Sequence, residues 1–142
     1  MSGIIFQLAC RRYYCFMKTA SIKHLQFAHN AWLRAIEFYK LELHILQERL
    51  EEIAFDNTGK DVAEGIEHYQ NQLIIHRDYL DGLAHRIKTN VRKAESEIRQ
   101  SSGNVSESTV LVHDELAEQY HTEENMINQL RHEFNRFASK WM

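Results

Sequence analysis

In residues 22–53, IKHLQFAHNAWLRAIEFYKLELHILQERLEEI, apolar side chains fall on two faces of one helix, and packing into a bundle needs only one. Ile22, Leu25, His29, Trp32, Ile36, Tyr39, Leu43, Leu46, Leu50 and Ile53 recur at alternating spacings of three and four. That is a heptad seam, and its one polar member is His29. A second set, Phe27, Ala31, Phe38, Leu41, Ile45 and Phe55, lies on the opposite side of the same helix. A helix that is apolar on two faces must be covered on both.

Outward from this stretch, the same helical pattern continues. The chain has 142 residues, no proline and five glycines, so it lacks the punctuation of a β-rich or loop-rich fold. Asp56-Asn57-Thr58-Gly59 and Ser101-Ser102-Gly103-Asn104 are its two internal turn clusters. They divide the chain into three helices, expected at about 19–56, 60–100 and 105–141. Thr19 or Ser21 is expected to cap the first, Thr58 with Asp61 the second, and Asn104 with Glu107 the third. The seam of helix 2 is Val62, Ile66, Tyr69, Leu73, His76, Leu80, Leu83 and Ile87. It then meets Asn90, where a register slip to Val91, Ala94 and Ile98 is expected. Helix 3 offers Val112 or His113, Leu116, Tyr120, Glu123, Ile127, Leu130, Phe134, Phe137 and Trp141.

Short connections make sequential helices antiparallel neighbours, so the fold class is an all-α, up-down-up three-helix bundle of long, coiled-coil-like helices. The proportions resemble those of spectrin-like bundles, an analogy of architecture that carries no function. The remaining faces of helices 2 and 3 read as mostly polar, as at Glu118, His121, Asn125, Asn128, His132 and Asn135. Only helix 1 is left with an apolar face that has no partner inside residues 18–142.

The first sixteen residues, MSGIIFQLACRRYYCF, differ in composition from the rest. They are read as an N-terminal extension of the bundle, spanning residues 1–17, with Met17 as a natural start of translation. Two further readings place Ile4, Ile5, Phe6 and Leu8 on the second stripe of helix 1, or make the segment a membrane-associating tail through Arg11, Arg12, Cys10 and Cys15. Residues 16–142 contain no cysteine, so the bundle is expected to be cytoplasmic.

Net charge is −3, which argues against a nucleic-acid-binding chain. Residues 86–99 carry Arg86, Lys88, Arg92, Lys93 and Arg99, and no Lys or Arg occurs from 100 to 130. The basic stretch is expected to pair with Glu107, Asp114, Glu115 and Glu118 of helix 3.

Nine histidines raise the question of a metal. A carboxylate-bridged bundle needs Glu-x-x-His on two helices, and only Glu118 with His121 has that spacing. The buried polar positions are His29, His76 and Glu123, whose heights, taken from straight helices of ~1.5 Å rise, do not coincide. Each is therefore expected to act alone as a register-setting core group. No nucleophile with a base and no glycine-rich phosphate loop is present.

The sequence thus predicts no catalytic, cofactor-binding or metal-binding residues. It predicts a non-enzymatic protein that acts through protein association, with Phe27, Ala31, Phe38, Leu41, Ile45 and Phe55 as the interaction face. The expected partner is a second copy, as a homodimer, or another helical protein. Metal or ligand binding through His and Glu, and membrane-surface binding through the basic N-terminus, are the alternatives.

Overall fold

The computed structural model describes the backbone of residues 2–142 and the side chains of residues 23–142. Three helices follow in order: α1 (Ser2–Asp56), α2 (Lys60–Gln100) and α3 (Glu107–Trp141). All three pack on one another. The fold is an all-α three-helix bundle.

Helix α1 begins at Ser2 rather than near residue 19, and it runs on through Thr19 and Ser21. Nothing interrupts it, because residues 4–56 contain neither glycine nor proline. The other two caps also differ from expectation. Gly59 is the N-cap of α2 in extended conformation and makes no side-chain cap bond. Ser106 caps α3, accepting from the Thr109 backbone N at 3.4 Å. Glu97 of α2 holds that cap: its carboxylate accepts from the Ser106 N and Oγ and from Thr109 Oγ1. Partial burial pushes the Glu97 carboxyl up, but these bonds and Lys93 outweigh it and hold it below the usual carboxylate range.

The inner seam of α1 enters the core as its spacing requires. Ile36, Leu43, Leu50 and Ile53 are buried against Leu73, Leu80, Leu83 and Ile87 of α2 and against Leu116, Ile127 and Phe134 of α3. Each such side chain contributes about 1.5–3 kcal/mol by leaving water. Helix α2 keeps its heptad where a slip was expected. Asn90 and Ala94 are buried, and Val91 is only partly covered. Asn90 stays inside because Nδ2 donates to the Thr109 carbonyl at 3.4 Å.

Two contacts show the up-down-up order. Lys40 of α1 reaches Asp81 of α2 at 2.8 Å. Asn57, just past α1, donates to the carbonyl of Trp141 at the end of α3, 3.3 Å away. Gly65 of α2 is needed for close approach, since a Cβ there would sit 2.3 Å from the Phe137 ring. Gly82 is not, since a Cβ would meet only Arg86 at 3.6 Å.

Candidate functional site

The three edges of α1 can be assigned from its cross-helix bonds. Lys40 faces α2, while Tyr39 and Glu42 face α3 through Glu124 at 2.7 Å and Arg131 at 3.0 Å. The Phe27 stripe occupies what remains, the side turned away from both neighbours. Phe27 is 76% exposed, Phe38 55%, Leu41 57%, Ile45 48% and Phe55 88%, and Ala31 is exposed with them. Among the described residues, only Phe38 of this face finds an aromatic neighbour, the edge of Tyr39 on its own helix. All six residues of the expected interaction face are thus brought onto one open surface.

Helices α2 and α3 are less polar outside than their sequences suggested. Ile74, Ile75, Leu111 and Met126 are also exposed. With Tyr79 and Val112 they form short groups, Ile74-Ile75 with Tyr79 on α2 and Leu111-Val112 on α3, and none continues as a seam of the length found on α1.

The buried polar groups do come together, in two separate layers. His29 of α1 and His113 of α3 are hydrogen-bonded, Nε2 to Nδ1, at 3.0 Å. His113 stacks on Trp32, which in turn stacks on Tyr120. Burial, and then the neighbouring His113, push the His29 imidazole down to about 4. Burial also lowers His113, with Asp114 opposing. Both rings are therefore neutral near pH 7 and share one proton between their facing nitrogens. His29 Nδ1 has no hydrogen-bond partner among the described residues, and His29 borders a pocket of about 20 Å³ lined in part by Leu25, Val91 and Glu95. The heptad spacing placed His29 inside, but the α3 seam was ambiguous between Val112 and His113.

The second layer overturns an expectation. His76 and Glu123 form a buried pair, Nδ1 to Oε1, at 2.6 Å. The straight-helix heights had kept them apart. That estimate set Glu123 ~9 Å along α3 from the level of His76, and the reach of two long side chains together with a shift in helix register closes the gap. On the adjacent residue, Glu124, Oε1 accepts from the Tyr39 and Tyr120 hydroxyls at 2.7 and 3.2 Å. Burial and that carboxylate raise both phenols, Tyr120 to about 12. His29, His76 and Glu123 are buried, His113 and Glu124 are partly exposed, and neither layer positions a nucleophile.

The expected ion pairs between α2 and α3 do not form. Among the described residues, no base from Arg86 to Arg99 lies within 4 Å of an α3 acid. Arg86 donates to Gln119 instead, and Lys93 to Ser108. Glu107, Asp114 and Glu118 recur at spacings of seven and four and share one exposed face of α3, while Glu115 lines the groove beside Arg86 and Lys93 without coming within 4 Å of either. The exposed pairs His44–Glu48 and His121–Glu124, each at 3.5 Å, are contacts within a helix. Among the described residues, no three His, Cys, Asp or Glu side chains group as a metal-binding set. No described helix is long and apolar enough to cross a membrane. Ile4, Ile5, Phe6, Leu8, Cys10, Arg11, Arg12 and Cys15 lie outside the described side chains.

Comparison of the chain with protein families, with curated proteins and with solved structures finds no match. What defines the molecule is therefore its own geometry: a three-helix bundle with one long open apolar face.

Proposed function

We propose that this chain is a non-enzymatic interaction protein that associates through the outer face of α1, most simply with itself. The observation that carries the reading is the exposure of five large apolar side chains along one face. Burying a Phe or Leu is worth about 1.5–3 kcal/mol, so this face gains most from a cover. A coiled-coil contact with another helix suits it, because its positions repeat with helical spacing. Closed twofold dimers are the simplest such assembly. A cytoplasmic setting fits a chain whose residues 16–142 carry no thiol.

Light scattering on the full chain tests this. The wild type is expected to be larger than a monomer, and Phe38→Glu with Leu41→Glu to reduce it to monomer with unchanged helicity. A monomeric wild type would remove the self-association reading.

A further inference from the structure

We propose that the outer face of α1 pairs with the same face of a second copy, antiparallel, about a twofold axis near Leu41. This rests on the self-association reading above and gives it a geometry. The apolar residues of the stripe leave gaps, and Arg34, Glu48 and Glu52 fill them. With those three included, the spacing from Phe27 to Phe55 alternates four and three without a break, and every member is exposed. That is the seam of a coiled coil, about 42 Å long at ~1.5 Å per residue.

The seam is balanced about its centre. Phe27 lies two heptads before Leu41 and Phe55 two heptads after it. Arg34 lies one heptad before and Glu48 one heptad after. An antiparallel partner therefore brings Phe27 toward Phe55 of the second copy, and Phe38 toward its Ile45. It brings Arg34 within a turn of Glu48 and Glu52 of the second copy, twice per dimer. A parallel pair would set each residue beside itself: Arg34 on Arg34, Glu48 on Glu48, Glu52 on Glu52. Like charges facing one another select against that arrangement. Within its own chain Glu48 has only exposed His44 beside it, and Arg34 and Glu52 have no ion-pair partner among the described residues.

The available area is sufficient. Three phenylalanines of roughly 200 Å² each, more than half exposed, offer on the order of 400 Å² per copy before Leu41 and Ile45 are added, so a symmetric pair reaches the ~1,000 Å² that a specific interface requires.

Charge reversal and cross-linking test the geometry, both on the full chain. Arg34→Glu alone, and Glu48→Arg with Glu52→Arg, are each expected to weaken the dimer about tenfold or more, and the triple variant to restore it. With Cys10→Ser and Cys15→Ser as background, mixing Phe27→Cys chains with Phe55→Cys chains is expected to yield the mixed disulfide dimer on oxidation. A wild type that stays monomeric at every concentration overturns the association itself. A dimer that is not rescued by the triple variant, or that cross-links Phe27→Cys to itself, keeps the association and overturns the antiparallel geometry.

Discussion

The two faces of α1 use nearly the same residue types at the same spacings, yet one is sealed and the other is bare. Ile36, Leu43 and Leu50 are almost wholly inaccessible, while Phe38, Leu41 and Ile45, a residue or two away, are about half exposed. The inner face meets two helices that each bring a single apolar stripe. The outer face meets none. Hydrophobicity alone therefore does not say which side of this helix is core. The supply of matching faces elsewhere in the chain does.

The sharpest way to break this contrast is truncation on either side. Leu43→Ala on the inner seam is expected to cost about 2–5 kcal/mol in chemical unfolding, as buried leucines do. Leu41→Ala, two residues away, is expected to change the monomer by no more than about 0.5 kcal/mol while weakening association. Equal losses in the two variants, measured at a concentration where the chain is monomeric, would mean the outer face is buried within the chain.

Acid probes the polar member of the inner seam. Burial in the folded chain pushes His29 down to about 4, whereas an unfolded histidine titrates near 6.5. Between those values the unfolded chain binds more protons, so stability falls as pH falls. The contribution is present in full above pH ~6.5 and lost toward pH 4, about 3 kcal/mol in all. Urea unfolding at pH steps from 7 to 4.5 measures it. The His29→Leu/His113→Leu double variant separates this slope from that of the carboxylates. His113 faces His29 from α3, and Glu95 of α2 lines the pocket beside it. An unchanged slope in the double variant would sink the assignment.

The same contrast recurs on α2 at smaller scale. Gly65 faces the Phe137 ring, whereas a Cβ at Gly82 would make only ordinary contact with the Arg86 side chain. Gly65→Ala is expected to destabilise by about 1–3 kcal/mol through overpacking, and Gly82→Ala to stabilise by up to ~1 kcal/mol through helix propensity. Thermal melts of the two single variants should move in opposite directions. A gain at Gly65 would show that the Phe137 ring yields without cost.

Much of this protein was legible before any coordinates. Period, turn clusters and the absence of proline determine three helices, and the heptads identify their inner faces, including His29, His76 and Glu123. Those are local or periodic properties, written in adjacent residues. The caps at Gly59 and Ser106 were missed because Glu97, from another helix, decides the second of them. The α2 register was misread at Asn90 because the Thr109 carbonyl that satisfies it lies on α3.

Only the tertiary structure decided which polar groups meet. The His29–His113 and His76–Glu123 pairs, and the tyrosine bonds to Glu124, depend on relative helix height to within a turn. Straight-helix arithmetic carries an error of that size. The absent ion pairs along α2 turn on the rotation of α3, which charge counting along a chain does not contain. The open face of α1 stands between the two cases. Sequence alone marked Phe27, Phe38, Leu41, Ile45 and Phe55 as a second stripe. Their exposure follows from the packing, because three helices with four apolar faces must leave one uncovered.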